Sequence, residues 1–112
     1  MTCVLFLCSR NRWRSPTAEA LFATHPGVEC ASAGLAPDAE TPVAADDLEW
    51  ADMIFVMERA HKKKLSARFP AQVKNKRVVC LDIPDNYRFM DEDLISLLLA
   101  KVSPYLPPVA GR

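Results

Sequence analysis

The chain carries no excess of charge of either sign. Fourteen Lys and Arg balance fourteen Asp and Glu over 112 residues. No basic excess points to nucleic acid, and no basic tail points to a membrane surface. Long apolar runs are also missing. The longest reach about five residues, against the roughly 20 a membrane helix needs. The first residues lack both the basic region and the apolar core of a signal peptide, so the expectation is a cytoplasmic protein. Cys3, Cys8, Cys30 and Cys80 form no CxxC pair and have no histidine pair nearby. Zinc is therefore not expected, and nothing calls for another metal or a cofactor. Cys3, Cys30 and Cys80 sit in or beside apolar runs and read as reduced core residues. There is no internal repeat and no low-complexity tract.

What is present is ordinary globular composition, half apolar and a quarter charged. It suits one domain, residues 1–112, with one modest core. CVLFL, residues 3–7, is a short continuous apolar run, as in a strand buried on both faces. SPTAEALFAT, residues 15–24, reads as a helix with Ser15 as N-cap, Pro16 at its first position and an Ala18/Leu21/Phe22 stripe. Further strands are expected at 28–34, 53–57 and 77–83. Further helices are expected at 42–51, at 58–69 with Ala60, Leu65 and Phe69 inward, and from Asp91 to about Ser103. In the last of these Leu94, Leu98 and Val102 form the stripe, with Ile95 and Leu99 beside it. Pro104 and the Pro107-Pro108 pair stop it. The Lys62-Lys63-Lys64 run reads as a solvated face. His25 and His61 are isolated and receive no role. Strands alternating with helices predict an α/β fold, a three-layer sandwich of four parallel strands with helices on both faces. Ligands of such sheets bind at the carboxyl ends of the strands.

One stretch carries chemistry. LFLCSRNRWRSPTAEALF runs from a strand through Cys8 and three arginines, Arg10, Arg12 and Arg14, into a helix that opens Ser-Pro. A strand-to-helix loop offers unpaired backbone N–H groups and the positive end of a helix, which together make an anion site. Free cysteine titrates near about 8.5, and such surroundings favour its thiolate. Arg14, six residues on, offers a planar fork for two oxygens of a phosphoryl group. Ser15 can donate its hydroxyl to the sulfur. The residues six after Cys3, Cys30 and Cys80 are Ser9, Ala36 and Asn86, so only Cys8 has this partner. Phosphoryl transfer through a cysteine also needs a group to protonate the leaving oxygen and later to deprotonate water. Asp38, Asp52, Asp82 and Asp85 are candidates. Asp85 in IPDNY directly follows the fourth strand and is preferred. Asp82 suits a strand-end cap, and Asp52 should lie at the far end of the sheet.

With those residues in view, the chain resembles the low-molecular-weight protein tyrosine phosphatases. Their loop reads Cys-x-Gly-Asn-x-Cys-Arg-Ser-Pro with an Ala-Glu-Ala helix after it. Cys8, Asn11, Arg14, Ser15, Pro16, Ala18 and Glu19 fall on that pattern. ASAG at 31–34, ADMIFVMERAHKKKL and IPDNY resemble further family segments, in order, from Val4 to about Leu106. The resemblance implies a cysteine-dependent, metal-independent phosphomonoesterase acting through a phosphocysteine on Cys8. It implies phosphate held by the loop Ser9, Arg10, Asn11, Arg12, Trp13, Arg14 and Ser15, and acid–base work by Asp85. The implied partner is a phosphomonoester, a phosphotyrosine protein or a small phosphate ester. Asn11 is expected to brace the loop with positive φ.

There are departures from the family pattern. Arg10 replaces a glycine and is expected at negative φ with its side chain outward. Trp13 replaces the second loop cysteine, so the loop disulfide cannot form. Arg12 replaces an aliphatic residue, and Asn86 replaces the proline after the acid, which predicts a looser Asp85 loop. The family's aromatic rim residue is not identifiable between Gly34 and Asp52, leaving Trp13 or Tyr87 as a substitute wall. Arg10 and Arg12 leave a more acidic substrate open. Arsenate reduction on the same scaffold and a phosphate-binding module without turnover also remain open.

Overall fold

A computed structural model describes residues 1–107; Pro108 and the rest of the expected 1–112 domain lie outside them. Strand β1 (Thr2–Cys8) is followed by helix α1 (Arg14–Phe22), β2 (Val28–Gly34) and α2 (Ala45–Trp50). Then come β3 (Met53–Val56), α3 (Arg59–Arg68), the single turn α4 (Pro70–Val73) and β4 (Arg77–Cys80). Helix α5 (Glu92–Val102) and a 3₁₀ turn (Ser103–Tyr105) complete the order. All four strands are parallel, in the order β2-β1-β3-β4. Among the described residues no helix is long and apolar enough to cross a membrane.

Strand β1 is central, and its side chains alternate between two apolar layers. Val4, Phe6 and Cys8 face α1 and α5, where Ala18, Phe22, Leu94, Leu98 and Val102 are buried. Phe6 stacks between Phe22 and Phe55, with ring centroids 5.9 and 5.4 Å apart. Leu5 and Leu7 face the other way, onto Leu48 of α2 and Leu65 of α3. The three-layer α/β sandwich is as expected. The order 2-1-3-4 makes the chain reverse direction between β1 and β3, which opens a crevice beyond their carboxyl ends. Cys8 ends β1 at that crevice.

Several local expectations are corrected. Ser15 is not the N-cap. Helix α1 begins at Arg14 after Trp13, and Pro16 is its third residue, still in the first turn, where its missing N–H costs no bond. Ser15 is fully buried and turned instead toward the cysteine sulfur. Ala60 is exposed, and the inward face of α3 is set one residue later by His61 and Leu65. Leu99 is 46% exposed, so the apolar stripe of α5 is narrower than expected. β4 stops at Cys80 because Asp82 adopts a φ of 53°. The next residues still bond to β3, Leu81 N–H to Val56 O and Ile83 N–H to Met57 O, each 2.9 Å.

Candidate active site

The segment after Cys8 must turn sharply to enter α1. Asn11 takes the left-handed conformation, φ 54°, as expected, and Asn tolerates it better than most residues with a side chain. Arg10 is not among the positive-φ residues. Gly34, at the end of β2, lets the loop come close. A Cβ there would lie 2.8 Å from Ser9 O and 2.9 Å from Asn11 N. The loop is then pinned from outside: Ala36 N–H donates to Ser9 O (2.7 Å) and Glu40 N–H to Arg10 O (3.0 Å). Among the described residues, the N–H groups of Arg10, Arg12, Trp13, Arg14 and Ser15 donate to no main-chain carbonyl.

A directed chain of hydrogen bonds ends on the sulfur. Ser32 Oγ donates to the Glu19 carboxylate and accepts from Asn11 Nδ2 at 2.9 Å. Asn11 Nδ2 also donates to Ser15 Oγ at 3.0 Å. With that donor in place, the Ser15 hydroxyl proton has two acceptors within reach, Cys8 Sγ at 2.9 Å and the more distant Ala33 O at 3.5 Å. The Asn11 amide adds a second donor to Sγ at 3.2 Å. Cys8 is 3% exposed.

Arg14 is a buried cation, 2% exposed. Its Nη1 donates to Glu58 Oε2 at 2.7 Å and to Ile83 O at 2.8 Å. Its Nε lies 3.5 Å from Asp85 Oδ1, is buried and has no hydrogen-bond partner. A buried guanidinium N–H left unpaired is costly, and an arriving oxyanion relieves that cost. The Arg14 hydrogen bond holds the Glu58 carboxyl below its ordinary range against the opposing effect of its partial burial, with further help from the Arg14 charge.

Cys8, Arg10, Arg12, Trp13, Arg14 and Asp85 line one cavity of about 210 Å³. Trp13 is 38% exposed and forms part of its wall. Tyr87 packs partly buried against the α1/α5 core layer and is not among the lining residues. The other acids are elsewhere: Asp52 accepts from Cys3 N–H at the amino end of the sheet, and Asp82 lies 4.0 Å from Arg59. Arg10 and Arg12 do not stand free at the rim. Exposed Asp38 and Glu40 lie 3.6 and 3.7 Å from them. With Glu58 on Arg14, each of the three arginines shares its charge with a carboxylate.

Sequence reasoning missed Glu58 and His61. The signal was available: MERAH follows the carboxyl end of β3, the same rim logic that singled out Asp85. The lysine run after it made the segment look like a solvated face. His61 is buried, its Nε2 is 2.9 Å from Ser9 Oγ, and its Nδ1 accepts Glu58 N–H at 3.2 Å. Burial, and then the Arg14 charge, push its pKa down. Among the described residues no three His, Cys, Asp or Glu are grouped to hold a metal.

No protein-family model matches the chain, and no curated protein matches it. Solved structures do. Low-molecular-weight protein tyrosine phosphatase SP-PTP from Streptococcus pyogenes superposes with a TM-score of 0.79 at 18% identity, covering 95% of this chain and 91% of that one. Vibrio vulnificus Wzb in complex with benzylphosphonate gives 0.77 at 21% identity, covering 93% and 96%. YwlE arginine phosphatase from Geobacillus stearothermophilus gives 0.71 at 24% identity, covering 94% and 95%. The fold is that of the low-molecular-weight protein tyrosine phosphatases.

Proposed function

We propose that this chain is a cysteine-dependent phosphomonoesterase that needs no metal and works through a phosphocysteine. The observation that carries the reading is one cavity holding a sulfur with two donors, a buried arginine with an unpaired Nε and the Asp85 carboxyl. Cys8 Sγ, as thiolate, attacks phosphorus in line, forming the S–P bond as the ester P–O bond breaks. Asp85 gives its proton to the departing oxygen. Arg14 Nε and Nη2, with the loop N–H groups, hold the three equatorial oxygens and take up the charge that spreads over them. Asp85, now a carboxylate, accepts a proton from water as that water attacks phosphorus. The S–P bond breaks, and thiolate and inorganic phosphate are restored.

The substrate we propose is an aryl phosphate, phosphotyrosine on a protein. Trp13 offers an aromatic wall, and Asp38 and Glu40 offset the arginines that would otherwise favour a second anionic group. The chemistry suits a reducing compartment such as the cytoplasm, where Cys8 stays a thiol. Arsenate reduction would need a second thiol to receive a disulfide, and among the described residues no other cysteine lines the cavity. The test is hydrolysis of p-nitrophenyl phosphate between about pH 5 and 7, followed by phosphotyrosine peptides, phosphoserine peptides and small phosphomonoesters. Wild type should release phosphate and Cys8→Ser should not. No release above blank by wild type, with phosphate still bound, would mean a binding module.

A further inference from the structure

The imidazole of His61 touches both halves of the site. Its Nδ1 accepts the Glu58 N–H, so in this arrangement the proton sits on Nε2, which donates to Ser9 Oγ. Ser9 is the residue directly after Cys8. Glu58 is the carboxylate that holds Arg14 Nη1. One rigid ring, 3% exposed, thus ties the start of the phosphate loop to the turn after β3 that orients the guanidinium. The charged groups that act on the ring are Arg14, Glu58, Lys64 and Asp85. A second proton would put an N–H on Nδ1, facing the Glu58 N–H, and break that link.

We propose that His61, as the neutral Nε2–H tautomer, is a positioning residue that keeps the loop amides in register with Arg14 for phosphoryl binding. The proposal rests on the phosphatase reading above. The plainer role is a helix cap, because His61 is the third residue of α3 and accepts the N–H of its N-cap, Glu58. That role uses Nδ1 alone. The bond to Ser9 adds nothing to the cap, and it leads straight to the residue next to the sulfur.

Two substitutions separate the roles. His61→Asn keeps an acceptor near the Nδ1 position and loses the donor to Ser9. His61→Gln keeps a donor near Nε2 and loses the acceptor. The readouts are Tm, kcat and KM on p-nitrophenyl phosphate, the Kd of inorganic phosphate, and the imidazole ¹⁵N shifts of wild type. His61→Asn should retain Tm yet lose about five- to tenfold in kcat/KM and in phosphate affinity, the size of one hydrogen bond. His61→Gln should lower Tm and, having lost the link to Glu58, should lower kcat/KM no further than His61→Asn does. Ser9→Ala should match His61→Asn, and the double variant should be no worse than either single one. The wild-type shifts should show the Nε2–H tautomer.

Loss of Tm and kcat/KM in parallel in both His61 variants, additive effects of the Ser9 and His61 changes, or an Nδ1–H tautomer would each overturn the proposal. If wild type binds phosphate without hydrolysing esters, the phosphatase reading falls and the affinity arm alone decides the role of His61. A wild-type chain that neither hydrolyses nor binds phosphate overturns both.

Discussion

Replacing Arg14 with lysine keeps the charge and removes the fork. In wild type, Nη1 is fully committed, to Glu58 Oε2 at 2.7 Å and Ile83 O at 2.8 Å. That leaves Nε and Nη2 for the phosphoryl group. Nε is already buried and unpaired. An ammonium has three donors at one point. Two of them meet Glu58 and Ile83 O, and at best one reaches the substrate, so at least one charged hydrogen bond to the transferring group is lost. Such a bond contributes about 1.5–3 kcal/mol. The planar fork also matches three equatorial oxygens better as they flatten in the transition state, so most of the loss should appear in kcat. Arg14→Lys should therefore lower kcat/KM by roughly 10- to 150-fold, with KM changing much less. Its Tm should fall only modestly, because the Glu58 pair survives. Steady-state kinetics on p-nitrophenyl phosphate, with thermal unfolding alongside, reads both. A variant within about threefold of wild type, or one whose whole loss lies in KM, would refute the assignment of Nε and Nη2 to the transition state.

Asp85→Asn should slow hydrolysis of phenyl phosphate by about 10²- to 10⁴-fold and that of p-nitrophenyl phosphate far less, because a good leaving group needs little protonation. An equal loss on both substrates would remove Asp85 from the acid role. Thiol mapping with iodoacetate at neutral pH should find Cys8 first, with inorganic phosphate protecting it. Cys30 is pushed up to about 11 by half burial and the Glu19 carboxylate, and Cys3 is raised by partial burial and by Asp52 and Glu29. Labelling of Cys30 ahead of Cys8 would contradict this. Acid should destabilise the fold in two stages. His61 and Glu58 both titrate lower in the native state than in the unfolded chain, so the unfolded chain binds more protons as pH falls and stability declines. Tm should drop first below about pH 6.5, through His61, and again below about pH 4.5, through Glu58. The first drop should vanish in His61→Gln. A flat wild-type Tm between about pH 7 and 5 would count against the buried neutral imidazole.

The parts of the fold that were legible are those where one physical signal dominates. Apolar runs placed β1, β3 and β4, while β2, which carries Glu29 and Ser32, was expected at 28–34 on a weaker pattern. The spacing of Leu94, Leu98 and Val102 placed α5, and the family resemblance put Asn11 at positive φ, a conformation Asn tolerates better than most residues. The errors came where a local rule competed with a tertiary contact. Ser15 looks like a cap by its neighbours, and the sulfur recruits it instead. Ala60 looked like the inward residue of α3, yet burial of the polar His61 shifts the face by one position. The partners of Arg14 lie 44 and 69 residues away in sequence. No periodicity reports such a contact, and Glu58 was missed although it stands at a strand's carboxyl end as Asp85 does.

The same long-range contact bears on whether Asn86, standing where a proline would stiffen the chain, leaves the Asp85 loop slack. The loop is tied at both ends. On the strand side, Ile83 N–H donates to Met57 O and Ile83 O accepts from Arg14, while Lys101 Nζ donates to Leu81 O at 2.8 Å. On the helix side, Met90 N–H donates to Thr17 Oγ1 at 2.9 Å, and Asp91 caps α5 by accepting from Asp93 N–H. Between these ties Tyr87 packs onto the α1/α5 core layer. Only Pro84, Asp85 and Asn86 stand exposed between Ile83 and Tyr87. A proline there would remove little remaining freedom, so Asn86→Pro should change kcat by less than about threefold, the effect of a few tenths of a kcal/mol. Because Ile83 O is bound to the guanidinium that would hold the phosphate, displacing this loop would move Asp85 and Arg14 together. Ile83→Gly, which loosens the tie without touching either side chain, should therefore weaken phosphate binding and slow leaving-group protonation together. Loss of one without the other, read as phosphate affinity against the leaving-group dependence of kcat, would show that the two ends of the site move independently.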